Sequence, residues 1–359
     1  MAVGLSAIRK RFGSHFAVDG ISANITEGEF FVVLGPSGCG KSTLLRMIAG
    51  LEHLDGGEIT LSGRTVSGPG LHVPPERRDV GVVFQSYALW PHMDVGGNVA
   101  FPLESAGKSR RAARAEAETH LKTVDLMPFR DRRPAELSGG QRQRVALARC
   151  LAGGAHTVLM DEPLANLDPH LRSTMEEEIA AFHHRAGATT IYITHDQREA
   201  MALATRVAVM ARGQFQQVAA PQDLYERPAT AEVARFIGRS AILSATLQDG
   251  CAAIAGQQVP VTQQGSGACA VSVVIRPGDV RLGAGALTAR LDRVFYRGGV
   301  WEGRAHVSGL EQGLPVSSPR PLRNGETVPL EIASGWVLPA SSDAPGHDAG
   351  RQAPAEAVE

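Results

Sequence analysis

The chain lacks any apolar run approaching the roughly 20 residues needed to cross a bilayer. Its longest candidates, Phe30 to Leu34 and Thr190 to Thr194, have the length of buried strands. It also lacks an excess of either charge. Lys plus Arg number 36 and Asp plus Glu 37, for a formal net charge of -1. No global field therefore draws the chain to nucleic acid or to an anionic membrane, which leaves only a local basic patch open. The opening residues, MAVGLSAIRKRF, contain no h-region, so no secretory signal is expected. The four cysteines, Cys39, Cys150, Cys251 and Cys269, show no metal-ligand spacing. A reduced, cytoplasmic chain is the simplest reading. Any membrane role must then come through a partner.

What is present is ample. The 359 residues suffice for two or three domains, and 43% hydrophobic residues is ordinary for a soluble globular protein. Up to roughly residue 215, short apolar strands alternate with helical patterns. Glu29 to Leu34, Val158 to Met160 and Thr190 to Thr194 read as strands. Lys41 to Ala49, ended by Gly50, Gln141 to Ala152 and Leu171 to Ala186 read as helices. Such alternation implies parallel strands with crossover helices, covered on both faces. The expected division is an α/β domain over 1–238, a small all-β domain over 239–340 and a disordered tail over 341–359. Pro221 to Gly238 is expected to form the connecting segment.

Gly35-Pro36-Ser37-Gly38-Cys39-Gly40-Lys41-Ser42 matches GxxxxGK[ST] between an expected strand and an expected helix. Glycines let backbone N–H groups approach phosphate oxygens without a Cβ in the way, and the helix start adds partial positive charge. Lys41 supplies an ammonium to the β- and γ-phosphates. Ser42 offers a hard oxygen to Mg²⁺, and Thr43 a further phosphate contact. A glycine-rich turn without a ligand is the bland alternative, and the flanking elements weigh against it. Cys39, inside the loop, reads first as a small residue; the alternative is that a thiol at a helix start has a lowered pKa, so that alkylation would block ATP. Downstream, Val158-Leu-Met-Asp161-Glu162 places two carboxylates at a strand end. Asp161 is assigned to Mg²⁺ and Glu162 to general base for the attacking water. Leu137-Ser138-Gly139-Gly140-Gln141 opens another helix, a second anion-binding helix start in one chain. A simple N-cap at Ser138 is the plainer reading of that string.

Together these motifs resemble the ATP-binding subunits of ABC transporters, with LSGGQ similar to their signature sequence. The resemblance implies a P-loop NTPase cassette with a RecA-like core and a helical subdomain. It implies a head-to-tail homodimer in which each LSGGQ caps the γ-phosphate held by the other subunit. By the same resemblance, Gln85 is the Q-loop glutamine contacting Mg²⁺ or water, and Asp168 of Asn166-Leu-Asp168 lies in the loop crossing the dimer interface. His195, at a strand end, is the switch histidine on the γ-phosphate. Phe12, 29 residues before Lys41, is the aromatic that stacks on adenine, a core Phe in an N-terminal strand being the alternative.

The family also contains soluble ATPases that act on nucleic acid or ribosomes. One cassette rather than two, and no long heptad region, favour transport over those. The intact Asp161, Glu162 and His195 set disfavours a catalytically dead adaptor. Tyr87, Leu89, Trp90 and Met93, after Gln85, are expected to form an exposed apolar cluster that receives coupling helices, a place in the core being the alternative. Ile275-Arg276-Pro277 resembles the oligonucleotide-binding-like (TOBE) domain appended to importer subunits for sugars, ferric iron and polyamines. Gly278 stands where the family often has an acid. Ser67 to Arg78 leans toward the ferric-iron and polyamine branch. The resemblance thus implies ATP and Mg²⁺ as ligands, with membrane permease subunits and a periplasmic or lipid-anchored solute-binding protein as partners. Nucleic acid is not expected. The implied location is the cytoplasmic face of the inner membrane.

Overall fold

The computed structural model describes residues 1–165, 169–262 and 269–339. Asp168 and the tail over 341–359 lie outside them. The chain divides into two compact units, parted between Pro221 and Gln222.

The first unit opens with an antiparallel hairpin, β1 (Val3–Phe12) and β2 (His15–Ile25). Strand β3 (Phe30–Leu34) follows, then helix α1 (Lys41–Ala49). Strands β4 (Gly56–Leu61), β5 (Arg64–Gly68) and β6 (Leu71–His72) complete a five-stranded sheet ordered β2-β1-β4-β5-β6. Next come β7 (Val80–Val83), helices α2 (Val95–Ser105), α3 (Arg110–Thr123) and α4 (Gly139–Ala152), and β8 (Thr157–Asp161). Helix α5 (Pro169–Ala186), β9 (Thr189–Thr194), α6 (Gln197–Leu203), β10 (Arg206–Ala211) and β11 (Gln214–Ala219) close the unit.

The central sheet runs β11-β10-β3-β9-β8-β7. Its β10, β3, β9, β8 and β7 are parallel, with β11 antiparallel at one edge. Every residue of β3 and β9 is buried, as doubly covered strands require. The helices α2, α3 and α4 pack on one another as a separate helical layer. Helix α3 shows why: its buried residues, Ala113, Ala117 and Leu121, recur every four positions and form one apolar stripe. Ser109 caps its start by accepting from the Ala112 N–H. One buried cation braces the first unit. Arg78 is 3% exposed and donates to the carbonyls of Met47, Ile48, Val66 and Val73 and to Ser67 Oγ. Burial pushes its guanidinium down to about 10.

The second unit is all-β apart from two short connecting helices, α7 (Pro221–Glu226, whose first residue belongs to the first unit) and α8 (Ala231–Phe236). Five strands form a closed barrel: β12 (Ala241–Gln248), β13 (Cys251–Ile254), β14 (Gln257–Thr262), β15 (Cys269–Ile275) and, from the end of the chain, β20 (Gly335–Val337). The barrel agrees with the expected oligonucleotide-binding-like class. Between β15 and β20 lies a second sheet, ordered β18-β17-β16-β19. It comprises β16 (Val280–Tyr296), β17 (Trp301–Val307), β18 (Leu314–Ser318) and β19 (Thr327–Ile332). Apolar residues of both layers share one core.

Arg276 ties the connecting helices to this core. Its guanidinium is stacked 4.4 Å from the Tyr225 ring centroid and donates to the carbonyls of Tyr225, Ala234 and Ile237. The acid missing at Gly278 is supplied one residue later, where Asp279 Oδ2 accepts from the Arg276 N–H at 2.7 Å.

Candidate functional site

Three neighbouring parallel strands, β3, β9 and β8, end at the same edge of the sheet. Leu34 is level with Thr194, and Ile193 with Asp161. Ligand sites of such sheets form beyond the carboxyl ends of the strands. There the chain places the Gly35–Ser42 loop, the Asp161-Glu162 pair and His195.

The loop is shaped by its glycines. Gly38 and Gly40 have left-handed φ of 79° and 108°. A Cβ on Gly40 would meet the Ala17 carbonyl oxygen at 2.0 Å, and one on Gly35 the Met210 carbonyl oxygen at 2.3 Å. Those two glycines therefore serve close backbone packing. Nothing lies within 4 Å of a Cβ on Gly38, which faces open space with Pro36 and Ser37. Lys41 is 4% exposed, and its Nζ donates to the carbonyls of Gly35 and Pro36 at 2.8 and 3.0 Å.

Glu162 joins the parts. Its Oε1 stands 3.9 Å from Lys41 Nζ, and its Oε2 is 3.0 Å from His195 Nδ1. Its backbone is left-handed, with φ 44°, a strained state for a non-glycine residue. The strain is held by the Glu162 N–H donating to the Ile193 carbonyl and by the Ala165 N–H donating to the Glu162 carbonyl. Asp161 Oδ1 accepts from Ser42 Oγ at 3.0 Å. Burial raises the Asp161 carboxyl above its ordinary pKa, opposed by the Ser42 bond and reinforced by the charge of Glu162. Ser42 and Asp161 are hard oxygen donors side by side, a set that suits Mg²⁺. Among the described residues no group of three or more His, Cys, Asp and Glu side chains is placed for a metal. An ion held here would complete its shell with water and phosphate, as Mg²⁺ commonly does.

The supporting layer was not legible beforehand. Thr194 Oγ1 donates to Glu199 Oε2 at 2.6 Å and accepts from the Asp196 N–H at 2.9 Å, so its bonds bracket His195. Glu199 is 3% exposed and also accepts from Tyr192 OH at 2.8 Å. Arg172 joins this group, donating to Asp196 Oδ2 at 3.0 Å. The only signal for Glu199 was its place four residues after His195, and nothing in a lone glutamate announces burial.

Two expectations are corrected. Cys39 is buried, and burial raises its thiol above the ordinary value although Lys41 and backbone N–H groups oppose the shift. The helix start does not activate it. Tyr87 is buried rather than exposed, and Leu89, Trp90 and Met93 are half-buried. Trp90 packs 4.3 Å from the Phe101 ring, and the fully buried Asn98 donates to the Trp90 and Met93 carbonyls and accepts from the Trp90 N–H. This segment is thus a folded knot, not an open apolar patch. Tyr87 and Ala88 have left-handed φ of 61° and 46°. Arg149, in the last turn of α4, fixes both by donating to their carbonyls at 3.1 and 2.7 Å.

The remaining residues stand elsewhere. Gln85 is exposed just beyond β7, on the same sheet edge as Asp161. Phe12 is 51% exposed at the end of β1, with Lys10 Nζ 5.3 Å from its ring, so it is not a core residue. Ser138 caps α4 in a reciprocal box: its Oγ accepts from the Gln141 N–H, and Gln141 Oε1 accepts from the Ser138 N–H. Gly139 follows in the first turn of the helix, and Leu137 before it is buried. A Cβ on Gly140 would meet Met175 Sδ at 2.5 Å, so α5 accounts for that glycine. Among the described residues no hydrogen bond or ion pair joins residues 137–141 to Lys41, Glu162 or His195 within one chain. Thr43 sits half-buried in the first turn of α1.

The family model described as ABC transporter matches residues 18–165. The chain is 45% identical over 309 residues to a spermidine/putrescine import ATP-binding protein (PotA 2) of Pseudomonas aeruginosa, covering 82% of each chain. It is 44% identical to the diacetylchitobiose uptake system ATP-binding protein MsiK of Streptomyces coelicolor, over 79% of this chain and 73% of that one. It is 40% identical to an sn-glycerol-3-phosphate import ATP-binding protein (UgpC 1) of Rhizobium johnstonii, over 92% and 91%. Among solved structures, the dimeric post-hydrolysis state of the ATP-binding cassette MJ0796, bound to ADP and Pi, matches with a TM-score of 0.53 and 30% identity. That match covers 61% of this chain and 98% of the other. The chain belongs to the ABC transporter family, as one of its ATP-hydrolysing, ATP-binding subunits.

Proposed function

We propose that the chain energises the import of a small solute, working as a pair of copies that bind two ATP molecules between them and drive membrane permease subunits. The observation that carries the chemistry is Glu162, held between Lys41 Nζ and His195 Nδ1 at the end of β8. Lys41 and the glycine-shaped loop receive the triphosphate. Phe12 stacks on the base. Glu162 accepts the proton of the attacking water and His195 orients on the γ-phosphate. When bound, Mg²⁺ at Ser42 and Asp161, with Gln85 nearby, neutralises phosphate charge. Ser138 to Gln141 serve the nucleotide of the second copy, and Asp168 serves the interface between copies. The dimeric cassette among the similar structures supports this arrangement.

The import or uptake names of the relatives favour transport over work on nucleic acid or ribosomes. They also limit what is said of the solute. Relatives named for polyamines, diacetylchitobiose and glycerol phosphate match at 45%, 44% and 40%. Identity in this chain therefore does not follow the solute, whose recognition falls to a solute-binding protein and the permease. A peripheral place at the cytoplasmic face goes with this reading of the relatives, and among the described residues no helix is long and apolar enough to cross a membrane. The test is reconstitution with the permease subunits in proteoliposomes. Solute uptake requiring internal ATP, and lost with Glu162→Gln, is expected. ATPase activity stimulated by nucleic acid, with no uptake, would overturn the reading.

A further inference from the structure

The second unit carries a concavity that none of the chemistry above employs. It lies open to solvent on the β16–β17 hairpin, has a volume of about 210 Å³, and is lined by Arg239, Arg293, Phe295, Arg297, Glu302 and Arg304. Four guanidinium groups thus surround one carboxylate. That carboxylate is thinly shared: Arg239 Nη1 and Arg297 Nε stand 3.4 and 3.7 Å from the same oxygen, Glu302 Oε2. Another acid of the hairpin, Asp292, lies across from Arg304 in the ladder, with His306 Nε2 3.1 Å from its Oδ1.

The arginines are positioned rather than loose. Arg239 donates to the Gly303 and Val316 carbonyls at 2.5 and 3.3 Å, and Arg304 to the Gly313 carbonyl at 3.2 Å. Arg293 occupies a bulge in the β16–β17 register, between Asp292 and Phe295, with a left-handed φ of 48°. Asn324 Oδ1 holds the bulge by accepting from the Val294 N–H at 2.9 Å. Bulges redirect side chains, and strained non-glycine backbone collects at ligand sites. Arg293 itself makes no hydrogen bond or ion pair among the described residues. Beside it Phe295 is 57% exposed, with the Arg297 guanidinium 5.7 Å from its ring.

We propose that this concavity binds a small multivalent anion, a phosphorylated or polycarboxylate metabolite, through Arg293, Arg297 and Arg304, with Phe295 as an apolar wall. Guanidinium forks match the oxygens of phosphate and carboxylate in pairs. Crowded like charges repel, so a ligand carrying several negative charges gains where a single chloride leaves the site unbalanced. The volume suits a molecule the size of pyrophosphate or a tricarboxylate.

Isothermal titration of the full chain, saturated with ADP in metal-free buffer so that the phosphate loop is occupied, tests the proposal. The probes are pyrophosphate and tricarballylate, with inorganic phosphate for comparison. One equivalent of pyrophosphate or tricarballylate is expected, with affinity falling as salt rises. Arg293→Ala and Arg304→Ala should each weaken binding about tenfold or more, and Arg293→Lys less. Arg293 has no bond to lose, so its variants leave the fold in place. Binding of pyrophosphate alone identifies a phosphate-bearing ligand, and of tricarballylate alone a carboxylate. No saturable uptake of either at millimolar concentration, or equal uptake by the Arg293→Ala and Arg304→Ala chains, overturns the site.

Discussion

Glu162 keeps a left-handed backbone in a place where glycine would be at ease, and that placement aims one carboxylate at both an ammonium and an imidazole. Replacing it with Gln keeps the shape and removes the proton acceptor. Glu162→Gln should therefore bind ATP, slow hydrolysis by about 10²- to 10⁴-fold and accumulate as a dimer. Size-exclusion chromatography with MgATP reads the last point, and a purely monomeric elution would count against it. Asp161 gives a pH prediction. Its carboxyl titrates above the ordinary range, chiefly through burial, so the proton is held to a higher pH than on a free Asp. A metal needs the deprotonated form. Mg²⁺ binding should thus weaken on acidification sooner than an unshifted carboxylate would give, as a rising Mg²⁺ midpoint between neutral and mildly acidic pH. Cys39 follows the same logic, since burial raises its thiol too. Its raised, buried thiol should react with iodoacetamide no faster than a free cysteine, measured by mass spectrometry.

At the scale of elements, the regular parts were plain in the chain. The helix Lys41–Ala49 starts after Gly40 and ends at Gly50, both left-handed, so its limits are written in glycine. The apolar stretches Phe30–Leu34 and Val158–Met160 at the heart of the central sheet are visible in the sequence too. The three motif segments converge because their strands are adjacent and parallel. The long-range bonds were invisible. Arg78, Arg149, Arg276 and Glu199 hold segments distant in sequence or bury a charge, and a charged letter in a sequence ordinarily means surface. Tyr87 was misplaced for a related reason. An aromatic cluster reads the same whether it faces solvent or is tied down by a buried amide such as Asn98. The Thr194–Glu199 pair predicts a positioning effect on His195. Thr194→Val should lower kcat with little change in KM for ATP, and Thr194→Ser should restore it, since the serine hydroxyl keeps both bonds. A loss in Thr194→Val matched by an equal loss in Thr194→Ser would indicate packing instead.

Across the whole molecule, two compact units on one chain predict that unfolding is not a single step. Arg276 is 6% exposed and serves carbonyls of the connecting helices within the second unit. Arg276→Ala should destabilise that unit by about 3 kcal/mol, leaving buried carbonyls without donors. In denaturant titrations the transition of the β-rich unit should shift while the nucleotide-dependent one stays. Helix α4 has a wider consequence. Its first turn carries the Ser138 cap, and its last turn carries the guanidinium that grips Tyr87 and Ala88, next to Gln85. At 1.5 Å per residue the helix is a stiff rod of about 20 Å. A push at one end, where a phosphate from the second copy would arrive, is felt at the other without any side chain needing to relay it. One rigid helix thus joins the cap to the loop, so that the two ends are bound to move together.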